Sequence, residues 1–279
     1  MSIAKKYNGE IISADSRQIY RGLDIGSGAV TKKEMAGVRH HLLNVASPRR
    51  IVTAADFVAR SRRVISKIAR RGAIPIIAGG TAFWIDALVY DLSLPAVKPD
   101  GALRRMLEKK SSVELFVILK KLDMRRAAKI DQKNPRRLIR AIEIAAALGR
   151  VPKLKKCSPY QALWIGLKLS YEVQPHKIAK RTQRIIRQGL VAETKRLLAA
   201  GITKKRIHEF GFEYRAALDF VLRRIQRDQL PKRIIKDTLA YAKRQMTWWK
   251  RNPDIHWVKN GKEANRLLDA FTVPVKRHK

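Results

Sequence analysis

The sequence predicts an α/β fold, in which a parallel sheet is flanked by helices and a helical domain is inserted into the chain. Two short apolar runs, Ile11–Ile12 and Ala73–Ile77, are each followed by a polar or glycine-containing turn, as is typical of strands in a parallel sheet. A helical pattern separates them. From about Ala102 to Gly149 the pattern is helical and shows no strand, which indicates a separate helical segment.

The first predicted strand leads directly into a polar loop. Ser2–Tyr7 has the pattern of the last turns of a helix, and Asn8–Gly9 is its stop signal. Ile11–Ile12 follows as a buried strand, and in open α/β sheets ligands bind just beyond the carboxyl ends of strands. The polar residues at this end are Ser13, Asp15, Ser16, Arg17 and Gln18. Polar loops after strands are also common without any function, so the pattern alone favours neither interpretation.

A helix and a second strand come next. Thr53 and Asp56 have the spacing of a capping box, which predicts a helix start, and Gly72 predicts the end of that helix. Ala73–Ile77 is the second strand, and Gly79–Thr81 connects it to another helix. Glycines at such a turn let backbone N–H groups approach an anion. The same glycines are equally expected in a tight turn that binds nothing.

Stretches with proline and glycine mark the borders of the helical segment. Leu94–Gly101 and Lys153–Pro159 are the predicted linkers. They divide the chain into an α/β core, residues 1–95 and 159–279, and a helical insertion domain, residues 96–158.

Three arginines, Arg136, Arg137 and Arg140, lie beside apolar residues on one predicted helix of the insertion. Such a charged run is usually a solvated surface. Arginine, however, makes bidentate contacts with phosphates more readily than lysine does. A phosphate-binding face is therefore the alternative interpretation.

After the insertion the chain is predicted to re-enter the sheet at Ala162–Leu169. A long helix then opens at Pro175 and ends at Gly201. The last long helix, Lys232–Arg251, has an apolar stripe at helical spacing. Its members are Ile235, Leu239, Ala242, Met246 and Trp249. Trp248 and Trp249 are able to stack on bases, although a core position is favoured at this spacing.

The charge balance indicates an anionic partner. The 279 residues include 61 Lys and Arg against 23 Asp and Glu, a formal net charge of +38. Such an excess attracts nucleic acid or an anionic membrane, although a genome-wide bias toward basic residues would also produce it. A membrane is not favoured, because no apolar run is long enough to span one and no signal peptide is evident.

Cysteine and histidine usage argues against disulfides and zinc. Cys157 is the single cysteine, which excludes an intramolecular disulfide and predicts a reducing compartment such as the cytoplasm. His40 and His41 are adjacent, but no pair of histidines has metal-ligand spacing. The sequence therefore predicts no metal site made only of side chains.

Six stretches in order resemble the signature of the tRNA dimethylallyltransferases, the isopentenyl-tRNA transferase family. They lie at 13–26, 37–43, 53–57, 76–81, 134–143 and 241–248. The resemblance implies a P-loop NTPase-like parallel sheet with an inserted helical tRNA-binding domain. It also implies transfer of a dimethylallyl group from dimethylallyl diphosphate to N6 of the adenosine on the 3′ side of the anticodon in tRNA. The implied partners of this monomeric enzyme are the tRNA anticodon stem-loop, dimethylallyl diphosphate and Mg²⁺.

The same resemblance assigns roles to individual residues. Asp15 corresponds to the general base that takes the proton of the amine. The positions similar to tRNA-binding residues of the family are Asp15, Ser16, Arg17, Gln18, Thr81, Arg104, Arg136, Arg137, Leu138, Ile139 and Arg140. The positions expected to bind the diphosphate are Gly79, Gly80 and Arg244.

The chain also departs from the family pattern. Ala29 stands where the family usually has a lysine, and Thr238–Ala240 lacks an arginine expected near the diphosphate. The family's phosphate loop, G-x-x-x-x-G-K-[ST], precedes a helix that corresponds to Ser2–Tyr7, and the sequence contains neither this loop nor its strand. We therefore expect the chain as it stands to fold poorly and to be inactive, because the loop supplies most of the diphosphate cradle and its strand is central.

These departures leave a second hypothesis, a non-catalytic RNA-binding relative that has lost the diphosphate site. A general nucleic-acid-binding or ribosome-associated protein, inferred from basicity alone, is a third. A P-loop kinase for a small molecule is a fourth. The ordered motifs disfavour the third hypothesis, and the absence of the phosphate loop together with the unexplained basic insertion disfavours the fourth.

Overall fold

The computed structural model describes residues 1–168 and 173–272. The contact pattern divides the chain into two compact units. The first, called the core unit below, comprises Met1–Val89 and the chain from Pro159 onward, and the second, the helical unit, is Tyr90–Ser158. The helical unit begins slightly before the boundary predicted at 96.

A three-stranded parallel sheet forms the centre of the core unit. Its strands are β1 (Gly9–Ser13), β2 (His40–His41) and β3 (Ile74–Ala78), in the order β2-β1-β3. The predicted strands at Ile11–Ile12 and Ala73–Ile77 are thus confirmed as neighbours in one sheet. The strand β2 was not predicted, because two residues are too few to produce an apolar pattern.

Helices surround this sheet. The helices of the core unit are α1 (Ser2–Lys6), α2 (Lys32–Met35), α3 (Ala54–Arg70), α4 (Ala82–Val89), α9 (Val173–Arg187), α10 (Leu190–Ala199), α11 (Lys204–Glu209), α12 (Phe212–Val221), α13 (Gln229–Trp249) and α14 (Gly261–Thr272). The predicted capping box is present at α3: the Thr53 hydroxyl accepts the Asp56 N–H at 3.2 Å and the Asp56 carboxylate accepts the Thr53 N–H at 2.9 Å. This box fixes the start of the helix that connects β2 to β3.

The strand after the insertion does not join the first sheet. In the described part of the chain, β4 (Trp164–Leu167) pairs in parallel with β5 (Ile255–Val258) as a separate two-stranded sheet. The prediction that Ala162–Leu169 re-enters the first sheet is therefore wrong, and Leu169 itself lies outside the described residues. Gly166 lies so close to the ring of Trp257 that a Cβ atom at this position would collide with it. Trp257 is on β5, a strand that the sequence pattern did not predict.

The helix predicted from Pro175 to Gly201 is two helices, α9 and α10. Gly189 separates them with a φ of 107°, a left-handed conformation that interrupts the helix and that glycine adopts without strain. The last long helix is confirmed as α13, but its fully buried residues are Leu230 and Ile234. The predicted stripe is only half-buried; its members are Ile235, Leu239, Ala242, Met246 and Trp249. No helix in the described ranges is long and apolar enough to cross a bilayer.

The helical unit contains helices only, as its sequence predicts. They are α5 (Gly101–Leu107), α6 (Ser112–Leu122), α7 (Met124–Ala127) and α8 (Pro135–Leu148). Each begins after a residue whose side chain accepts a backbone N–H of the first turn; these caps are Asp100, Ser111, Asp123 and Asn134. Leu107, Leu115, Leu119 and Leu138 are the most deeply buried leucines of its core.

Candidate active site

The polar loop after β1 is organised by the side chain of Asp15. One carboxylate oxygen, Oδ1, accepts the backbone N–H groups of Arg17 at 2.8 Å and Gln18 at 3.2 Å. In the described part of the chain, the other oxygen of this half-buried carboxylate accepts no hydrogen bond. One oxygen therefore shapes the loop, and the other is available to a ligand.

The loop after β3 meets this first loop. The Thr81 hydroxyl accepts the backbone N–H of Ser16 at 3.0 Å and lies 3.2 Å from the Ser16 hydroxyl. Gly79 passes so close to Ala14 that a Cβ atom at this position would collide with the Ala14 carbonyl. The glycine is thus required by close backbone approach, whether or not an anion binds there.

Helix α13 is attached to the same place. The carbonyl of Gly80 accepts hydrogen bonds from Gln245 Nε2 at 2.8 Å and from the Tyr241 hydroxyl at 3.2 Å. The guanidinium of Arg244 is exposed and lies 5.8 Å from the centre of the Tyr241 ring. The structure therefore brings Gly79, Gly80, Thr81 and Arg244 near the loop that contains Asp15.

Arg17 is held by four neighbouring groups. Its Nη1 donates to Glu213 Oε2 at 2.8 Å, and its guanidinium carbon lies 4.6 Å from the ring centre of Phe212 and 5.6 Å from that of Tyr241. The backbone of Gly211 passes against the same guanidinium. Arg17 is therefore oriented before any ligand binds.

Glu213 is a buried carboxylate between two arginines. Its side chain is 2% exposed, and its second oxygen lies 3.6 Å from Arg181 Nη1. Burial raises the pKa of Glu213, while the positive charges of Arg17 and Arg181 oppose that shift. This residue was not predicted from the sequence. An acidic residue among the apolar positions of α12 was the available signal, because buried acids are nearly always paired.

A second buried glutamate supports the loop that follows Leu23. The carboxylate of Glu193 accepts the backbone N–H groups of Asp24, Ile25 and Gly26 at 3.1, 2.9 and 3.0 Å, and the Tyr214 hydroxyl at 2.6 Å. Glu193 was not predicted from the sequence either, although it lies on the apolar face of α10. Glu193 fixes the loop that continues to Gly28.

The carbonyl of Gly28 orients the amide of Gln18. Gln18 Nε2 donates to this carbonyl at 3.3 Å, and Gln18 Oε1 accepts the Ser13 hydroxyl at 3.2 Å. Both ends of the amide are thus fixed at the edge of the loop that contains Asp15. The residues predicted near Asp15 from the sequence, Ser16, Arg17 and Gln18, are all held in defined positions.

Gly211→Ala tests whether the Arg17 site depends on its tight backbone. We expect a loss of about 1–3 kcal/mol in unfolding free energy, because φ is 118° at this glycine and a methyl group would meet the guanidinium. Urea unfolding measures the loss. The matched control is Gly261→Ala, where an added Cβ meets nothing within 4 Å. Equal stability of both variants would contradict the tight fit.

In the helical unit, two of the predicted RNA-binding arginines are bound to a buried carboxylate. Glu143, whose side chain is 1% exposed, accepts Arg104 Nε at 2.7 Å and Nη2 at 2.6 Å, and Arg140 Nη1 at 3.2 Å. Arg140 also donates to the Val97 carbonyl at 2.8 Å. These contacts attach helix α8 to α5 and to the segment that precedes α5. This arrangement is not evident from the sequence.

The other predicted residues of α8 divide into two groups. Arg136 and Arg137 are exposed, and the nearest acidic group to Arg137 is Asp131 at 3.9 Å. Leu138 and Ile139 are buried in the core of the helical unit. In this structure their side chains pack inside the protein, so the exposed cationic groups on this turn are Arg136 and Arg137, of which Arg137 forms a long ion pair with Asp131.

Glu143→Gln is expected to destabilise the protein by about 3 kcal/mol at neutral pH, because it leaves two arginines facing an uncharged partner. Burial raises the pKa of Glu143, but hydrogen bonds from Arg104, the Asp100 N–H and Arg140 lower it to a net value below normal. The stabilisation is therefore complete above the unfolded pKa of 4.5 and is lost as the pH falls through the lower folded value.

The measurement is the difference in unfolding free energy between the wild type and Glu143→Gln at pH 7 and near pH 3. The difference should be large at pH 7 and should shrink in acid. Asp131→Asn is the control in the same unit, because its ion pair with Arg137 is exposed and should contribute less than about 1 kcal/mol. A difference that does not change with pH would contradict the assignment.

No group of three or more His, Cys, Asp or Glu side chains in residues 1–168 and 173–272 is placed to hold a metal ion. The carboxylates near the Asp15 loop are committed instead to arginine and backbone N–H partners.

Comparison with known proteins shows one consistent family. A family model described as IPP transferase matches residues 18–252. A tRNA dimethylallyltransferase of Pediococcus pentosaceus is 36% identical, with 96% of this chain and 89% of the relative covered. One from Carboxydothermus hydrogenoformans is also 36% identical, over 95% of this chain and 88% of the relative.

Solved structures agree with this. The tRNA isopentenylpyrophosphate transferase of Bacillus halodurans superposes with a TM-score of 0.71 at 30% identity, over 97% of this chain and 89% of that chain. A eukaryotic dimethylallyltransferase that acts on tRNA has a TM-score of 0.79 at 23% identity, over 99% of this chain and 77% of that chain. The second likeness concerns the fold alone.

Proposed function

The chain belongs to the IPP transferase family, and we propose that it transfers a dimethylallyl group from dimethylallyl diphosphate to the N6 amine of the adenosine on the 3′ side of the tRNA anticodon. In this reaction N6 forms a bond to C1 of the dimethylallyl group. The bond between C1 and the diphosphate oxygen breaks, and the diphosphate leaves with the electron pair. The amine loses one proton.

Asp15 is the proton acceptor in this proposal. The observation that supports it is the open carboxylate oxygen, held at the end of β1 by two backbone N–H groups on the other oxygen. Such bonds fix the direction of the open oxygen before the substrate arrives. A positioned base typically contributes about a hundred- to ten-thousand-fold to a reaction rate.

The neighbouring side chains orient the nucleotide and the leaving group. Arg17 and Gln18 are already fixed by Glu213 and Gly28, so they can position the nucleotide at little cost in side-chain entropy. The adenine must leave its stack to reach them, which is least costly in a single-stranded loop. The groups placed to face the diphosphate are Gly79, Gly80 and Arg244.

Mg²⁺ would supply charge neutralisation for the leaving diphosphate. The described residues offer no carboxylate cluster for it. Mg²⁺ would therefore be held by diphosphate oxygens and water rather than by a carboxylate cluster of the described residues. Asp15, Arg17 and Gln18 act on the nucleotide independently of the metal.

The proposed partners follow from this reaction. They are the tRNA anticodon stem-loop and dimethylallyl diphosphate, bound by a single copy of the chain. The location that provides both in a reducing environment is the cytoplasm.

The experiment is a transfer assay with an anticodon stem-loop, dimethylallyl diphosphate and Mg²⁺, read by mass spectrometry of the digested nucleosides. Formation of a dimethylallyl adenosine that depends on the base at the 3′ side of the anticodon supports the proposal. RNA binding without transfer under these conditions would instead support the non-catalytic relative, which the substitutions at Ala29 and in Thr238–Ala240 suggest. If the protein neither binds the RNA nor transfers the dimethylallyl group, both the transferase and the RNA-binding hypotheses are refuted.

A further inference from the structure

One face of α9 is a continuous strip of positive charge. From Lys177 to Arg187 the helix contains five cations and, over its whole length, no acidic residue; these are Lys177, Lys180, Arg181, Arg184 and Arg187. The spacing of three and four places them on one side. All are exposed except the half-buried Arg181. The strip is about 15 Å long at 1.5 Å per residue.

The opposite face of α9 belongs to the protein core. Thr182 and Ile185 are buried, and the helix packs against α13 and α10. Because the apolar face is covered, the helix cannot insert into a bilayer as a surface-bound amphipathic helix does. The charge of α9 is therefore presented to solvent by a fixed scaffold.

The middle of the strip, at Arg181, reaches the candidate active site. Arg181 Nη1 lies 3.6 Å from Glu213 Oε1, and Glu213 is the residue that holds Arg17. The Arg181 guanidinium also lies against Gly28, whose carbonyl orients Gln18. The strip is thus continuous with the groups around Asp15.

The four cations of the strip other than Arg181 have few partners within the described part of the protein. In the described part of the chain, Lys177, Lys180 and Arg187 make no side-chain hydrogen bond or ion pair, and Arg184 makes none beyond its electrostatic influence on Glu34. Like charges three or four residues apart destabilise a helix by about 0.2–0.5 kcal/mol per pair. A polyanion would remove this repulsion.

We propose that this face of α9 binds the sugar–phosphate backbone of the RNA whose adenosine enters the active site. The inference rests on the proposed function, because it names a further contact for the same substrate. Cations three or four residues apart are separated by about 4.5–6 Å along the helix axis, and the contacts of Arg181 with Glu213 and Gly28 connect them to the site of Arg17. No base edge is read there, so the contact adds affinity without sequence preference.

The test compares two triple variants with equal loss of charge. The first is Lys177→Gln, Lys180→Gln and Arg184→Gln on α9. The control is Arg60→Gln, Arg63→Gln and Lys67→Gln, which removes three exposed cations from α3 in the same unit. Glutamine keeps the helix propensity in both. Binding of an anticodon stem-loop is measured at several salt concentrations, with KM for both substrates.

We expect the α9 variant to bind RNA at least about tenfold more weakly than the wild type. The slope of the logarithm of the binding constant against the logarithm of the salt concentration should become shallower by about two to three. KM for RNA should rise while KM for dimethylallyl diphosphate stays unchanged. The α3 control should remain within about twofold of the wild type. Equal weakening of both variants would show a net-charge effect and overturn the proposal, as would unchanged binding by the α9 variant.

Two further measurements separate the possible failures. If the wild type neither binds nor modifies RNA, the proposed function is wrong; if the wild type does both and the α9 variant behaves like it, only this inference fails. If the triple variant does not fold, as judged by its circular dichroism, Lys180→Glu alone replaces it, with Lys67→Glu as its control. Loss of binding to anionic vesicles rather than to RNA would also overturn the proposal.

Discussion

Asp15→Asn is expected to slow prenyl transfer by about a hundred- to ten-thousand-fold while RNA binding stays within a few-fold. Asparagine keeps an oxygen that can accept the N–H groups of Arg17 and Gln18, so the loop should keep its shape. It replaces the open carboxylate oxygen with a group that cannot take a proton from N6. The loss should therefore appear in the rate of the chemical step.

The measurements are single-turnover transfer and RNA binding, made for the wild type and the variant at the same salt concentration. Asp228→Asn is a suitable control, since it also removes one carboxylate but affects only an exposed ion pair with Lys232. Turnover by Asp15→Asn close to that of the wild type would eliminate Asp15 as the base. A parallel loss of RNA binding would indicate a structural role for its carboxylate instead.

Local signals in the sequence were sufficient to predict the strand before Asp15 and the helix that precedes the neighbouring strand. The strand at Ile11–Ile12 is apolar and short, and the capping box at Thr53 specifies a helix start with two side-chain groups. Because both strands are parallel neighbours, their polar ends had to meet at one edge of the sheet. The contact between Ser16 and Thr81 is the result of this pairing, which the sequence did not specify.

Contacts between distant parts of the chain were not predictable in this way. Arg17 and Glu213 are 196 positions apart, and Asp24 and Glu193 are 169 apart, so no periodicity relates them. The pairing of β4 with β5 has the same origin, because β5 alternates too weakly to be recognised as a strand. What the sequence did offer was an unusual feature, a glutamate on an apolar helix face, without the identity of its partner.

The arginines of the helical unit show a further limit of reading single residues. Arg104 and Arg140 look like free cations in the sequence, but the structure commits both to Glu143. The single carboxylate compensates one of the two positive charges and holds both guanidiniums by hydrogen bonds. Arg136 and Arg137 remain exposed, and the free positive charge of this helix is therefore smaller than its sequence indicates.

The affinity for RNA is expected to fall about a thousandfold between roughly 50 and 200 mM salt, if about six phosphates are contacted. The reason is the formal net charge of +38, which attracts the phosphates of RNA. Each neutralised phosphate releases bound counterions, and added salt reduces the gain from that release. Fluorescence anisotropy of a labelled anticodon stem-loop over a salt series measures the slope.

Substitutions in the helical unit sharpen this prediction. Arg136→Gln combined with Arg137→Gln should reduce the slope by about one for each phosphate contact that is lost, because both guanidiniums are exposed. Lys109→Gln combined with Lys121→Gln, two exposed lysines of the same unit, is the control for net charge. An affinity that is flat over the salt range would remove RNA as the partner. Equal slopes for the two double variants would mean that the arginines of α8 act only through the overall charge, since a specific phosphate contact must affect the slope more than an uninvolved lysine does.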